Sequence, residues 1–427
     1  MIRRVLEGFA TGHERRAKLL VALAAVCLLA ATVGALSAPD GPRVTEDDER
    51  PENNTLVGLQ GYHDEGRAIE ISPDGEVVWE YDEPDDVFDV ERLGPDRVQL
   101  STATEVPDEE CPPRYRDDGF ENCVRNSLRI VEQSSDELVW EYAWYDAKLH
   151  EHELHDADHY VVGSEDRWVL ADMGNDRVFA VNREKEVVWQ WNATDDYERP
   201  EGMGPEGDWT HLNDVDRLGP GVFQVSLRNF DTVVELRMDE ESGPIRVRPV
   251  VGPDDFHERG EVLHEQHNPD RLADDHLLVA DSERDRVVEL DADREVVWEF
   301  GGSGRLQWPR DADRLPDGDT LITDSYNGRV MEVNPEGEVV WAVETGGLPY
   351  EADRLPGEGS ADRPTADEAG LADSTADASV IREDLDYATA MARYAVPPGW
   401  GGQVAPLAVA ALSLVGAAIE GLRSRRE

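Results

Sequence analysis

Lysine is almost missing from this chain. Lys18, Lys148 and Lys185 are the only three in 427 residues, and Lys+Arg total 41 against 94 Asp+Glu, for a formal net charge of −53. A phosphate backbone is bound by stripes of Lys and Arg, so a nucleic-acid partner is excluded by the charge. Cysteine is equally scarce, at three residues. Cys111 and Cys123 have no second pair to complete a zinc site. Aromatics are only 7% of the chain, yet eleven are Trp and hydrophobic residues reach 39%, which excludes a disordered acidic tail. A folded protein this acidic and this poor in lysine reads as adapted to salt. At about 1 M salt the Debye length is roughly 3 Å, so like charges scarcely repel and hydrated carboxylates keep the surface soluble.

Two uncharged runs stand outside the acidic body. LLVALAAVCLLAATVGAL (19–36) follows Arg3, Arg4, Arg15, Arg16 and Lys18, and VAPLAVAALSLVGAAI (404–419) precedes Arg423, Arg425 and Arg426. Roughly 20 apolar residues span a bilayer, and basic flanks stay in the cytoplasm. The expectation is a basic cytoplasmic segment (1–18), a transmembrane helix or signal anchor (19–37), a linker (38–53), an extracellular body (54–356), an acidic solvated linker (357–378), a juxtamembrane helix (379–396), a second transmembrane helix (401–420) and a cytoplasmic tail (421–427). The membrane is then a partner, and both termini are cytoplasmic. Cleavage at Ala35-Leu36-Ser37, or twin-arginine export through Arg15-Arg16, are open alternatives for the first segment. Outside the cell, Cys111 and Cys123 read as a disulfide clipping a turn-rich insertion. Asn53-Asn54-Thr55 and Asn192-Ala193-Thr194 are glycosylation sequons.

The body is an internal repeat. RAIEISPDGEVVWEY (67–81), RVFAVNREKEVVWQW (177–191), RVVELDADREVVWEF (286–300) and RVMEVNPEGEVVWAV (329–343) align, with LRIVEQSSDELVWEY (128–142) as a fifth copy and 232–250 as a degenerate sixth. Each is a β-branched run, a turn of Asp, Asn, Pro or Gly, and a second run, which is the pattern of an antiparallel hairpin. Two further strands precede each hairpin. Four strands repeated every 40–60 residues predict an all-β fold, a six-bladed β-propeller. The first unit starts at its second strand, TLVGLQ (55–60). Glu351-Ala352-Asp353-Arg354-Leu355 repeats Asp311-Ala312-Asp313-Arg314-Leu315, so a C-terminal strand should complete the first blade and close the ring.

The innermost strands define a candidate site. Their second acids are Glu91, Asp158, Asp216, Asp270, Asp313 and Asp353. Three residues earlier stand Phe88, His155, Asn213, His267, Arg310 and Tyr350, which should ring one mouth of the channel. His211 lies two before Asn213, on the same strand face by period two. Arg228 occupies a turn position held elsewhere by Met173, Ser282 and Ser325. His155, His211, Arg228, His267 and Arg310 should therefore converge in a positively biased pocket suited to an anion.

Asp208-Trp209-Thr210-His211-Leu212-Asn213-Asp214-Val215, with Ser226-Leu227-Arg228-Asn229, resembles the Trp-x-His-x-Asn…Ser-x-Arg pattern of the arylsulfate sulfotransferase family. Glu265-Gln266-His267-Asn268 is similar to that family's Gln-His segment, and Leu154-His155-Asp156 to its earlier His-Asp segment. The chain thus looks like a halophilic archaeal type of that family, over residues 55–355. The resemblance implies a six-bladed propeller that moves a sulfuryl group from an aryl sulfate to a phenol, without a nucleotide donor or a cofactor. His267 would be the nucleophile. Arg228 would hold the sulfuryl oxygens, and His155 and His211 would hold them or shuttle the phenol proton. Asn213 would orient His211, and Asn213, Trp209, Arg310 and Tyr350 would line the substrate site.

Other chemistries fit less well. HEHELHDADH, with His150, His152, His155 and His159, contains no His-Glu-x-x-His and lies in a strand repeat, so no metal site is expected. The Asp-rich segments 291–295 and 311–313 lack the Gly and closing Glu of a calcium loop and read as solvated turns. The Val-Val-Trp ends should pack between blades rather than around a quinone. The non-enzymatic alternative is a membrane-tethered propeller that serves as a binding scaffold.

Overall fold

The computed structural model describes residues 51–61, 66–107, 109–117, 123–147, 152–200, 208–238, 245–253, 262–302, 305–357, 363–371 and 374–375. The apolar runs 19–37 and 401–420 and the juxtamembrane segment 379–396 lie outside the described residues. Among the described residues, no helix is long and apolar enough to cross a membrane.

The body is all-β, with a propeller-like arrangement of antiparallel sheets. Separate sheets are led by the inner strands Leu154–Val162, Leu212–Gly219, His267–Arg271 and Pro309–Arg314, each followed outward by three more strands in chain order. The remaining sheet has eight strands. One half runs outward from inner strand Asp86–Arg92. The other half contains Thr55–Gln60, Arg67–Ile71 and Val77–Tyr81, and its inner strand is Leu348–Arg354 from the far end of the body. Leu348–Arg354 pairs antiparallel with Thr55–Gln60 along its length, from Thr55↔Arg354 to Gln60↔Leu348. Among the described residues, the two halves pair at Gln60↔Asp86.

Apolar side chains pack between consecutive sheets. Val169, Val178 and Trp191 of one sheet meet Leu212, Phe223 and Val225 of the next. Val57, Leu59, Ile69 and Ile71 meet Leu321, Val330, Trp341 and Val343, which joins the N-terminal strands to the last sheet. Each fully buried aromatic of this kind contributes roughly 2–3 kcal/mol by leaving water. The Val-Val-Trp strands behave as outer strands. Val78 is 53% exposed while Trp298 and Trp341 are buried. Trp140 stacks on Trp168 of the next sheet at 4.4 Å between ring centroids.

A second joint is polar. Short 3₁₀ turns between the second and third strands end at Asp176, Asp231 and Asp285, with φ of +48°, +51° and +53°. Asp tolerates this left-handed geometry because its carboxylate bonds locally. Here each carboxylate accepts a backbone N–H from the following sheet: Thr210, Glu265 and Trp308, at 2.7, 2.7 and 2.8 Å. These latches fix the turns that deliver the site.

Two readings need correction. The segment 357–378 is no solvated linker where it is described. Thr365 and Glu368 form a capping box, Ala366 is buried, and its N–H donates to the buried Glu289 carboxylate at 2.9 Å. Ser374–Thr375 pairs in parallel with Val296–Gly301. Segments 291–295 and 311–313 are also unlike each other. The first is an exposed turn in which the Asp291 carboxylate accepts the Asp293 N–H. The second lies in an inner strand, with Asp311 buried, because alternation turns Asp311 and Asp313 to the channel. Cys111 and Cys123 are joined as a disulfide, with Cα atoms 5.7 Å apart.

Candidate functional site

One backbone device builds the site. Each inner strand carries an irregularity at its start. Register shifts fall between Val87 and Asp89, Leu154 and Asp156, Leu212 and Asp214, and Pro309 and Asp311, so Phe88, His155, Asn213 and Arg310 are the extra residues. Opposite Gly58 and Leu59 the extra residue is Tyr350. In the remaining strand the shift falls between His267 and Asp270. A bulge interrupts alternation and re-aims a side chain. Neighbours such as His155 and Asp156, or Tyr350 and Glu351, therefore both face the channel.

The bulged residues form one cluster. His155 is buried, stacked on Phe88 at 4.7 Å, with its ring 5.4 Å from those of His211 and Tyr350. Its Nδ1 lies 2.8 Å from the Tyr350 hydroxyl, and its Nε2 3.4 Å from Glu153 Oε2. A carboxylate only accepts, so Nε2 carries the proton and Nδ1 accepts from Tyr350. Tyr350 also touches His267, at 5.9 Å between rings, and takes the Arg310 guanidinium over its face at 4.4 Å. Burial pushes the Tyr350 hydroxyl well up and the His155 imidazole down.

His267 is buried and held from one side. Its Nδ1 lies 2.8 Å from Ser282 Oγ and 3.2 Å from the Glu265 carbonyl. Ser282 Oγ donates to the Pro309 carbonyl at 2.7 Å. The serine proton being committed there, Oγ accepts from Nδ1–H, and Nε2 keeps its lone pair. Burial, then Arg228 and Arg310, hold this imidazole well below its ordinary 6.5, so the ring is neutral.

His211 does not sit on the inner strand. It precedes Leu212–Gly219 in a turn with φ +46°, so turn geometry rather than period two carries it to His155. Its Nδ1 is 3.2 Å from Asp208 Oδ2. Burial, then Arg228, push His211 well down, and burial pushes Asp208 up to about 7. Glu265 and Trp308 occupy the matching turn positions, with φ +47° and +53°.

Arg228 opens its 3₁₀ turn and pairs with the Glu265 carboxylate. Arg310 donates to Gln60 Oε1 at 2.6 Å and lies over Trp308 at 4.2 Å. The Nε donors of both arginines are buried without a hydrogen-bond acceptor among the described residues.

Three expectations change. Asn213 donates to the Gln266 carbonyl at 2.9 Å, so it braces the segment before His267 rather than orienting His211. Trp209 is buried against Phe230 in the core, away from the ring. The mouth is also less positive than its His and Arg content implies, because Glu153, Asp208 and Glu265 stand among them. Glu153 and Glu265 are legible only by applying to every repeat the offset that singled out His211, two residues before the ring. Ser282 is legible only from the turn register.

Deeper in the channel the character inverts. Asp89, Asp156, Asp214, Asn268, Asp311 and Glu351 follow the ring, and Glu91, Asp158, Asp216, Asp270, Asp313 and Asp353 come next. Several are staples: Asp156 accepts the Val215 N–H at 2.6 Å, Asp158 that of Arg217 at 2.6 Å, and Asp311 that of Ala352 at 3.0 Å. Burial pushes Asp89, Asp158 and Asp353 up to about 7 and Asp216 to about 6.

No family model matches the chain, and no curated protein does. Several solved structures are partly similar to the chain. A Bacteroides caccae protein of unknown function is 16% identical over 70% of this chain and 97% of its own, with a TM-score of 0.48. Virginiamycin B lyase from Staphylococcus aureus is 10% identical over 75% and 92%, with a TM-score of 0.41. The periplasmic gluconolactonase of Pseudomonas aeruginosa is 15% identical over 72% and 99%, with a TM-score of 0.42. Similarity at this level carries no argument about this chain, and function rests on the site.

Proposed function

We propose that the chain is a six-bladed propeller, closed by Leu348–Arg354, that transfers sulfuryl groups from aryl sulfates to phenols in a saline, extracellular setting while tethered to the membrane. The observation that carries this reading is at His267: a neutral imidazole whose Nδ1–H is held by Ser282, beside two arginines with unengaged Nε donors. An arrangement of that kind offers Nε2 as a nucleophile and N–H groups to anionic oxygens.

The steps balance simply. Nε2 of His267 attacks sulfur, the N–S bond forms, and the S–O bond to the aryl group breaks with its electron pair leaving on the phenolate. The sulfated ring is cationic, and Ser282 accepts its Nδ1–H. An acceptor phenol oxygen then attacks sulfur, the N–S bond breaks, and its pair returns to Nε2. The acceptor's proton passes to a neutral imidazole, for which His211 is placed. A leaving phenol with pKa near 10 needs little acid assistance. Arg228 and Arg310 would hold the sulfuryl oxygens.

The test is 4-nitrophenol release from 4-nitrophenyl sulfate by the purified chain in about 1 M KCl, with and without added phenol. Phenol-dependent release and a sulfated acceptor are expected. Folded protein with no release would favour the scaffold. The Arg228–Glu265 pair and the buried carboxylates are the features that suit that second reading, since they offset much of the positive charge.

A further inference from the structure

The acids below the ring ask what balances them. One carboxylate oxygen each from Asp89, Asp156 and Glu351 lies within 4.8 Å of the others. Their other contacts hold the three side chains in place, and Asp89 and Glu351 also hydrogen-bond to each other. Asp89 Oδ2 accepts from Ser101 Oγ at 2.8 Å, Asp156 Oδ2 accepts the Val215 N–H, and Asn268 donates to Glu351 Oε2 at 3.5 Å. Beside Asp156 and Glu351, a cavity of about 90 Å³ is also lined by Asp214. Asp214 is only 6% exposed, and its Oδ2 has no hydrogen-bond partner among the described residues. A buried carboxyl oxygen without a hydrogen-bond partner is costly, and a bound cation would satisfy it.

We propose that this channel binds a divalent cation of the calcium type, ligated by Asp89, Asp156 and Glu351, with Asp214 facing it from the adjoining cavity. Carboxylate oxygens are hard donors and select hard cations over zinc or copper. Calcium–oxygen distances of about 2.3–2.6 Å place two donors on one ion up to roughly 5 Å apart, whereas magnesium, at about 2.1 Å, limits them to roughly 4.2 Å. Three donor oxygens that all lie within 4.8 Å of one another can be spanned by one calcium ion. The ligands come from different inner strands: Asp86–Arg92, Leu154–Val162 and Leu348–Arg354. The last is the strand that pairs with Thr55–Gln60, so the ion would tie together the two ends of the body.

The experiment uses the full chain, treated with EDTA and desalted into about 1 M KCl so that the acidic surface is screened. Calorimetric titration with CaCl₂, and Tb³⁺ luminescence sensitised by neighbouring aromatics, report binding. Thermal melting with CaCl₂ against EDTA reports linkage. Saturable uptake near one ion per chain, a rise in Tm with calcium, and at least a tenfold loss of affinity in Asp156→Asn and Glu351→Gln are expected, with Asp291→Asn, in the exposed turn, unchanged. Absence of saturable uptake by the folded wild type would overturn the proposal. So would equal affinity in all variants, or a preference for MgCl₂. If a channel variant fails to fold, Asp214→Asn and the wild-type titration decide.

Discussion

Two ends of one channel are built on the same inner strands, one residue apart, and they do opposite things. At the mouth, burial drives three imidazoles to their neutral forms beside two arginines. One step deeper, burial raises the pKa of carboxyls such as Asp89, Asp158 and Asp214. Desolvation is the first-named cause in both, and it disfavours whichever form is charged. The lesson is that burial alone makes neither a site nor a scaffold. What separates the halves is the partner left over: lone pairs and N–H donors at the mouth, and carboxylate oxygens below.

The largest effect expected is at His267. His267→Ala should lower sulfuryl transfer by roughly 10⁴-fold or more, as for removal of other nucleophiles, with circular dichroism unchanged. An unaltered rate would end the assignment. Next is Arg228→Ala, expected to cost about 10²–10³ in kcat if its donors meet charge developing in the transition state. Arg228→Lys should recover little, since a point charge lacks the planar fork. An effect confined to KM would place Arg228 in ground-state binding and blur the contrast between the halves.

A smaller effect is expected at the latches. Asp231→Ala removes the bond to the Glu265 N–H and places a Cβ residue without local bonding at φ +51°. The expected destabilisation is about 2–3 kcal/mol, read by chemical denaturation. Asp231→Gly should lose less, because glycine accepts that backbone. Equal losses would show that only the hydrogen bond matters.

The repeat made much of this legible. Val-Val-Trp and the β-branched runs mark the strands, and Glu351-Ala352-Asp353 repeating Asp311-Ala312-Asp313 points to the pairing of Leu348–Arg354 with Thr55–Gln60. The ring register located His155, His267 and Tyr350 because every repeat carries the same spacing. Bulges were not legible, since an extra residue leaves no mark of its own in an alternating pattern. Without them, Asp311 and Asp313 could be read as a solvated turn, and His211 as a strand residue. Partners contributed from elsewhere were hidden for a different reason. Asp208 and the Gln266 carbonyl matter by three-dimensional proximity, and neither breaks a local rule. The docking of Ala366 on Glu289 was hidden too, because a short capped turn in an acidic, Gly-rich stretch resembles a linker until a buried carboxylate is found beneath it.

The smallest effect separates the halves by sign. His211 and His267 have pKa values below the ordinary 6.5, so as pH falls through 6.5 the unfolded chain takes up protons first. Stability then falls with pH, by at most about 1.4 kcal/mol per unit for each imidazole. Around His267, Arg228, Arg310, His211 and His155 all disfavour its protonation. Asp216, pushed up to about 6, and Asp313, pushed well above its ordinary value, work the other way. Between about pH 4 and their folded values the folded chain holds the extra protons, so acidification over that window stabilises it. The two halves should therefore oppose each other in the pH profile of the wild-type Tm. His267→Asn should remove one destabilising imidazole and flatten the loss below 6.5, whereas Asp216→Asn should remove one stabilising carboxyl and steepen it. Melting curves in EDTA from pH 4 to 8 would show this. If both variants shift the profile in the same direction, the two halves do not differ in the way burial and chemistry require.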